Sequence, residues 1–274
     1  MVPLMRLPRL MQKGHLTALA VTASSYSSGE HVTFYESAQA VQPWVRSQRK
    51  AARDRITHEH LLASSAIPFV FPAKGITIDG HTEYFGDGSM RQSAPIAAAI
   101  HLGAERVLVI GAGRMHEPRG DSAAPPSPSY PSLAQIAGHA LSNIFLDALS
   151  VDVERVQRIN QTLSLIPEEK RTHSALRPVE LLVIAPSQRL DAIAARHVGD
   201  LPGPVRTMLG ALGVTSNMAD VRGAALASYL LFEQGYTQEL MALGRADTLA
   251  RRADVCRFFG WKDTGAALRT RLPT

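Results

Sequence analysis

Two β-patterned runs, HLTALAVTASS and HVTFYE, flank a Ser-Gly turn within residues 15–36, and the pattern predicts a strand beside its neighbour. Small alanines inside the first run suit a crowded central strand. The basic stretch VRSQRKAARDR at 45–55 is expected to form a helix with a solvated charged face. In ITHEHLLASSAIPFVFP, Thr57 is a natural N-cap for a short apolar helical turn, with Pro68 and Pro72 as punctuation. KGITIDGHTEYFGDGS then places Asp79-Gly80 between two short β-patterned runs, the strongest local hairpin signal in the chain. That hairpin delivers Gly86-Asp87-Gly88. Pro95 opens a helix over APIAAAIHLGA, Gly103 closes it, and Val107, Leu108, Val109 and Ile110 form the apolar centre of the next strand. The order strand, loop, helix, strand predicts an α/β sheet covered by helices.

The later chain changes character. HEPRGDSAAPPSPSYPS, residues 116–132, reads as a Pro/Ser-rich surface loop. Apolar residues at three- and four-residue spacing, among them Leu141, Ile144, Phe145, Leu149, Val153, Val156 and Ile159, predict a long amphipathic helix or a kinked pair. VELLVIAPS supplies one more buried strand near 179–185, and glycines divide several helices beyond Pro202. The organisation is therefore residues 1–115, the loop 116–132, and a mostly helical region 133–274 packing on the sheet. No internal repeat is present.

Composition narrows the class. With 45% hydrophobic and 19% charged residues over 274 positions, the chain is neither disordered nor fibrous and can bury a substantial core. A single cysteine, Cys256, forms no internal disulfide, which favours a reducing, cytoplasmic setting. No run approaches the roughly 18 apolar residues of a membrane span. The start, MVPLMRLPRLMQKG, has prolines at 3 and 8 expected to break any helix, and no apolar core of a signal peptide follows. The net charge of +5 favours anionic surfaces and allows peripheral membrane contact. No aromatic residues interleave the one dense basic cluster, so nucleic acid is not an expected partner.

Several chemical signals are weak. RVLVIGAGRMH offers two glycines after a strand, but His116 stands where the third belongs, and a Pro/Ser tract replaces the helix that would hold a pyrophosphate. No nucleotide or other cofactor is expected. His58-Glu59-His60 lacks the four-residue spacing that puts two imidazoles on one metal, so a solvated or hydrogen-bonded pair is expected and no metal site. His101 lies where it would support a helix C-terminus, and Cys256 reads as a small core residue near Phe258 and Phe259. Asp87 differs, because the glycines on both sides let the backbone turn sharply and let another group approach its carboxylate.

LLASSAIPFVFP, the Asp-Gly hairpin, YFGDGSMRQSAPIAAAIHLGAERVLVIG and the later ASYLLFEQGYTQELMALG together resemble the patatin-like phospholipase family. The resemblance implies a three-layer α/β/α fold, hydrolysis of lipid acyl esters, and a Ser-Asp dyad without a catalytic histidine. Asp87 matches the dyad aspartate of an Asp-Gly-Gly or Asp-Gly-Ala motif, with Gly86, Gly88 and Ser89 as its supporting residues and Ser89 given no separate catalytic role. The family's nucleophile in G-x-S-x-G and its oxyanion donors in G-G-G-x-R-G have no counterpart here. SYSSG at 25–29 and ASSA at 63–66 lack the required glycines, so no nucleophile is assigned.

The resemblance thus implies a partial patatin-like fold: residues 1–115 as the C-terminal portion of the catalytic domain, with the N-terminal strand, oxyanion loop and nucleophile elbow absent. A fragment, a misassigned start and a real truncation would each produce such a chain. A parallel sheet lacking its central strands would expose apolar surface and leave the chain poorly stable or associated. Lipid or acyl ester is the implied substrate of the complete protein. Two further readings stay open, a non-catalytic lipid-binding or interaction module and an esterase using another serine.

Overall fold

Three short turns shape the first part of the chain. β1 (Ala18–Ser25) and β2 (His31–Ser37) form the expected hairpin around the Ser-Gly turn. β5 (Lys74–Ile78) and β6 (His81–Asp87) are joined by Asp79-Gly80, both at positive φ, 50° and 82°, as a two-residue primed turn demands. The third turn was not expected. The basic segment forms β3 (Val45–Arg46) and β4 (Arg49–Arg53), not a helix, with Gln48 at φ 57° closing the turn. The whole of β4 pairs with His31–Tyr35 of β2, and that pairing overrides the helical propensity of Arg, Lys and Ala.

The computed structural model describes residues 3–68, 70–113, 115, 133–171, 174, 176–211 and 227–263, of which 133–147 and 211 as backbone only. The Pro/Ser tract at 116–132, with His116, and the stretch 212–226 lie outside the described residues. The chain divides into two units, Met1–Ala104 and Glu105–Thr274. Both are mixed α/β.

In the first unit the sheet order is β3-β4-β2-β1-β6-β5. Only β2 and β4 run parallel; the other four pairings are antiparallel, so the expectation of a parallel sheet is corrected. Turns this short permit only antiparallel neighbours. The prolines at 3 and 8 do not abolish helix either. A 3-10 turn (Leu4–Arg6) leads into α1 (Leu7–Gln12), and Pro8 sits in the first turn, where a missing N–H costs nothing. Leu4 and Leu7 pack with Val21, Val32, Phe34 and Phe85 in the core of this unit.

α2 (His58–Ser64) starts at Thr57 as expected, but its capping box is completed by His60, whose Nδ1 accepts from Thr57 N at 3.2 Å. His60 is buried and meets Phe34 edge-on with centroids 4.6 Å apart. α3 (Ala97–His101) follows Pro95.

In the second unit β7 (Arg106–Ile110) pairs parallel with β8 (Glu180–Ile184), in two strands of their own. α4 (Leu133–Ser164) is one continuous helix. α5 (Glu168–Arg171), α6 (Leu190–His197), α7 (Gly203–Ala211), α8 (Gln234–Ala250) and α9 (Arg252–Phe259) complete it. Ile193, Leu201, Leu209, Leu231 and Tyr236 form its buried cluster. β7 is less buried than its apolar run implied: Leu108 and Ile110 are exposed. Cys256 on α9 is half-buried, not a core residue.

Candidate functional site around Asp87

The Asp79-Gly80 turn sets the register that ends β6 on Asp87. Asp87 pairs with Ala23 of β1, and its N–H donates to the carbonyl of Ala66, beyond the end of α2, at 3.0 Å. The backbone is thus held from two directions. The carboxylate caps the 3-10 turn Gly88–Arg91, with Oδ1 accepting from Ser89 N at 2.9 Å and from Ser89 Oγ at 2.7 Å. Asp87 is buried, and burial pushes its carboxyl above the ordinary aspartate value, against the opposing pull of the two Ser89 hydrogen bonds. A carboxylate raised in this way is a better proton acceptor near neutral pH.

Both flanking glycines are explained by close approach. Neither takes a positive φ, so the sharp turn expected of them is absent. A Cβ on Gly86 would lie 2.5 Å from the Tyr26 hydroxyl, and one on Gly88 only 2.4 Å from the Thr22 carbonyl oxygen. Tyr26 is half exposed and can move, whereas the Thr22 carbonyl belongs to central strand β1. Gly88→Ala should therefore cost about 3 kcal/mol or somewhat more, at the upper end for overpacking, and Gly86→Ala clearly less. Urea denaturation of the two variants measures the difference; equal losses would contradict this account of Gly88.

Several serines in and beside the two candidate segments are occupied elsewhere, among them Ser27, whose Oγ accepts from Tyr84 N at 3.2 Å. Ser25 Oγ donates to Glu83 Oε2 at 2.6 Å and accepts from Ser27 N and Ser28 N at 3.1 and 3.0 Å, which makes it a brace for the β1–β2 turn. Ser24 Oγ reaches the Gly88 carbonyl at 3.4 Å, and Ser65 Oγ bonds back to Leu61 O at 2.9 Å. Ser89 alone, among hydroxyls with a described partner, donates to Asp87.

Sequence reading missed the polar network beside this turn. Lys50 Nζ lies 3.1 Å from Glu83 Oε1 and 3.3 Å from Glu30 Oε2. The Ser25 hydrogen bond, with Lys50 and Ser28, holds the Glu83 carboxyl below its usual range against its burial. A histidine network in the second unit was also missed: His197 meets Asp200 and Glu239, each at 2.8 Å, and these two partners hold its imidazole above the ordinary value. Only pairing across β1, β4 and β6, or between α6 and α8, brings such residues together.

The remaining candidates fall into structural places. His60 Nε2 is 3.5 Å from Asp54 Oδ2, His58 is exposed, and no cluster of three metal-ligating side chains occurs among the described residues. His101 stacks on Trp44 at 4.6 Å; burial and then Arg46 and Arg49 hold it neutral, so it brings no charge to the end of α3. A cleft of about 540 Å³ in the second unit is lined by Val153, Glu154, Val183, Ser187 and Arg251, among others. Asp87 does not line it.

No protein-family model matches the chain, and no curated protein matches it significantly. No helix among the described residues is long and apolar enough to cross a membrane.

Proposed function

We propose that the chain is part of a patatin-like lipid acyl hydrolase, with Asp87 as the proton acceptor of a Ser-Asp dyad whose serine this sequence does not contain. One observation carries the reading: a buried aspartate with a raised carboxyl sits at a strand end between two glycines, one of them required by backbone contact. In that role Asp87 takes the serine hydroxyl proton as the serine attacks an ester carbonyl, and water later releases the acyl group. The three-layer α/β/α arrangement belongs to the same proposal. On this reading the 274-residue chain hydrolyses no p-nitrophenyl acyl ester and takes no fluorophosphonate label. Labelling of Ser89, the hydroxyl already bound to Asp87, would replace it with an esterase that uses that serine.

A second reading, a non-catalytic module binding anionic lipid, is favoured by two arginines, Arg46 and Arg49, that have no acidic partner among the described residues. Flotation with anionic liposomes at low salt tests it, and absence of binding rejects it.

A further inference from the structure

The end of α9 turns one aromatic ring into the second unit and two outward. Phe258 is buried, with the Arg106 guanidinium of β7 5.8 Å from its ring centroid, and its carbonyl accepts from Arg106 Nη1 at 2.7 Å. The next position on a helix points about 100° away, so Phe259 leaves the core and is 40% exposed. Gly260 then takes φ 66°, and the helix closes as Gly260 N donates to Arg257 O at 3.2 Å and Trp261 N to Cys256 O at 2.8 Å, the two bonds of a Schellman end. The Trp261 indole stacks on Phe259, with centroids 4.6 Å apart and planes 17° from parallel, and stays 61% exposed. Backbone bonds fix both residues of the pair, so the rings present an apolar face that needs little further ordering to be used.

The surroundings of the pair are basic. Residues 251–263 carry four cations, Arg251, Arg252, Arg257 and Lys262, against two carboxylates. Asp254 is shared by Arg251 and Arg257, and Asp263 is taken by Arg252. Lys262, next to Trp261 in the chain, is exposed and has no carboxylate partner among the described residues. Every acid of this segment is therefore matched, and positive charge is left over.

The size of the face argues against a protein partner. Two aromatic side chains offer at most about 500 Å², short of the roughly 800 Å² that each side of a stable complex buries. A bilayer asks for no matched groove. An indole suits its boundary, with the ring in apolar surroundings and the N–H in water, and anionic headgroups attract the neighbouring cations.

We propose that the Phe259–Trp261 stack is a docking surface for an anionic bilayer, with both rings entering the headgroup layer and Lys262 and the surplus guanidinium at Asp254 facing the lipid charge. The proposal rests on the lipid readings above, and it places the contact in the second unit on residues other than Arg46 and Arg49.

Trp44→Phe leaves Trp261 as the one tryptophan of the 274-residue chain. With vesicles of phosphatidylcholine and phosphatidylserine at low salt, Trp261 emission should move to shorter wavelength and the chain should float with the vesicles. Both signals should fade at high salt or on pure phosphatidylcholine. Flotation of chains that keep Trp44 removes any dependence on that substitution: Phe259→Ala with Trp261→Ala should weaken retention about tenfold or more, and Lys262→Gln about fivefold, with circular dichroism unchanged. Retention with Trp261 emission unmoved, or undiminished by the paired alanines, would overturn this surface and leave lipid binding to another face. No retention on anionic vesicles would overturn the surface and the lipid-binding module together. Emission already blue-shifted without vesicles, and dependent on protein concentration, would assign the stack to contact between two copies and overturn the proposal as well.

Discussion

Asp87→Asn should raise the melting temperature of the chain at neutral pH and, in a longer product that hydrolyses acyl esters, lower turnover by about 10²- to 10⁴-fold, the range for loss of a positioned general base. Both effects have one cause. Burial lifts the folded carboxyl above its unfolded value, so ionised Asp87 opposes folding once pH exceeds the unfolded value, while the neutral form does not. Asparagine keeps an oxygen to accept from Ser89 N and Ser89 Oγ, but carries no charge to bury. The gain should be present at pH 7 and vanish as the solution is acidified below the ordinary aspartate range, where wild type is neutral in both states. Scanning calorimetry at the two pH values measures it. A lower melting temperature at pH 7 would show that the ionised carboxylate stabilises the fold, contrary to this account.

His31 should make the first unit lose stability as pH falls. Its folded pKa, about 4, lies below the ordinary histidine value of 6.5. Between those values the unfolded chain binds the extra proton, so the contribution is complete above 6.5 and is lost towards about pH 4. The gap between the two values corresponds to about 3 kcal/mol. His60 and His101 are lowered too, each mainly by burial, and act in the same direction. His197 in the second unit runs the other way: its raised pKa contributes stability that is full at low pH and lost as pH rises through the folded value. Trp44 and Trp261 lie one in each unit. Urea denaturation of Trp261→Phe, followed by Trp44 fluorescence at several pH values, should show the falling stability. A flat profile from pH 7 to about 4 would contradict the assignment of a buried neutral His31.

Local signals were legible where a short motif determines the backbone. Asp79-Gly80 announced a turn that only residues tolerant of positive φ can make, and it fixed the strand end that carries Asp87. Thr57 and Pro95 marked helix starts for equally local reasons. The basic stretch misled because its strands are made by β2: the propensities of Arg49, Lys50 and Ala51 favour helix, and parallel pairing along His31–Tyr35 outweighs them. Around Asp87, the acid and its glycines could be picked out from sequence, but the reason for Gly88 lies 66 residues earlier in the Thr22 carbonyl. Lys50 with Glu83, and Arg49 with His31, depend on strand order in the same way.

The central claim is that Asp87 serves a serine absent from this chain. The direct measurement is fluorophosphonate labelling of a longer in-frame product, followed by peptide mapping. The account predicts one labelled serine, in a G-x-S-x-G segment preceding residue 1, and loss of that label in Asp87→Asn. A label on Ser89 or any other serine of the 274 residues, or labelling of the preceding serine undiminished in Asp87→Asn, would contradict it.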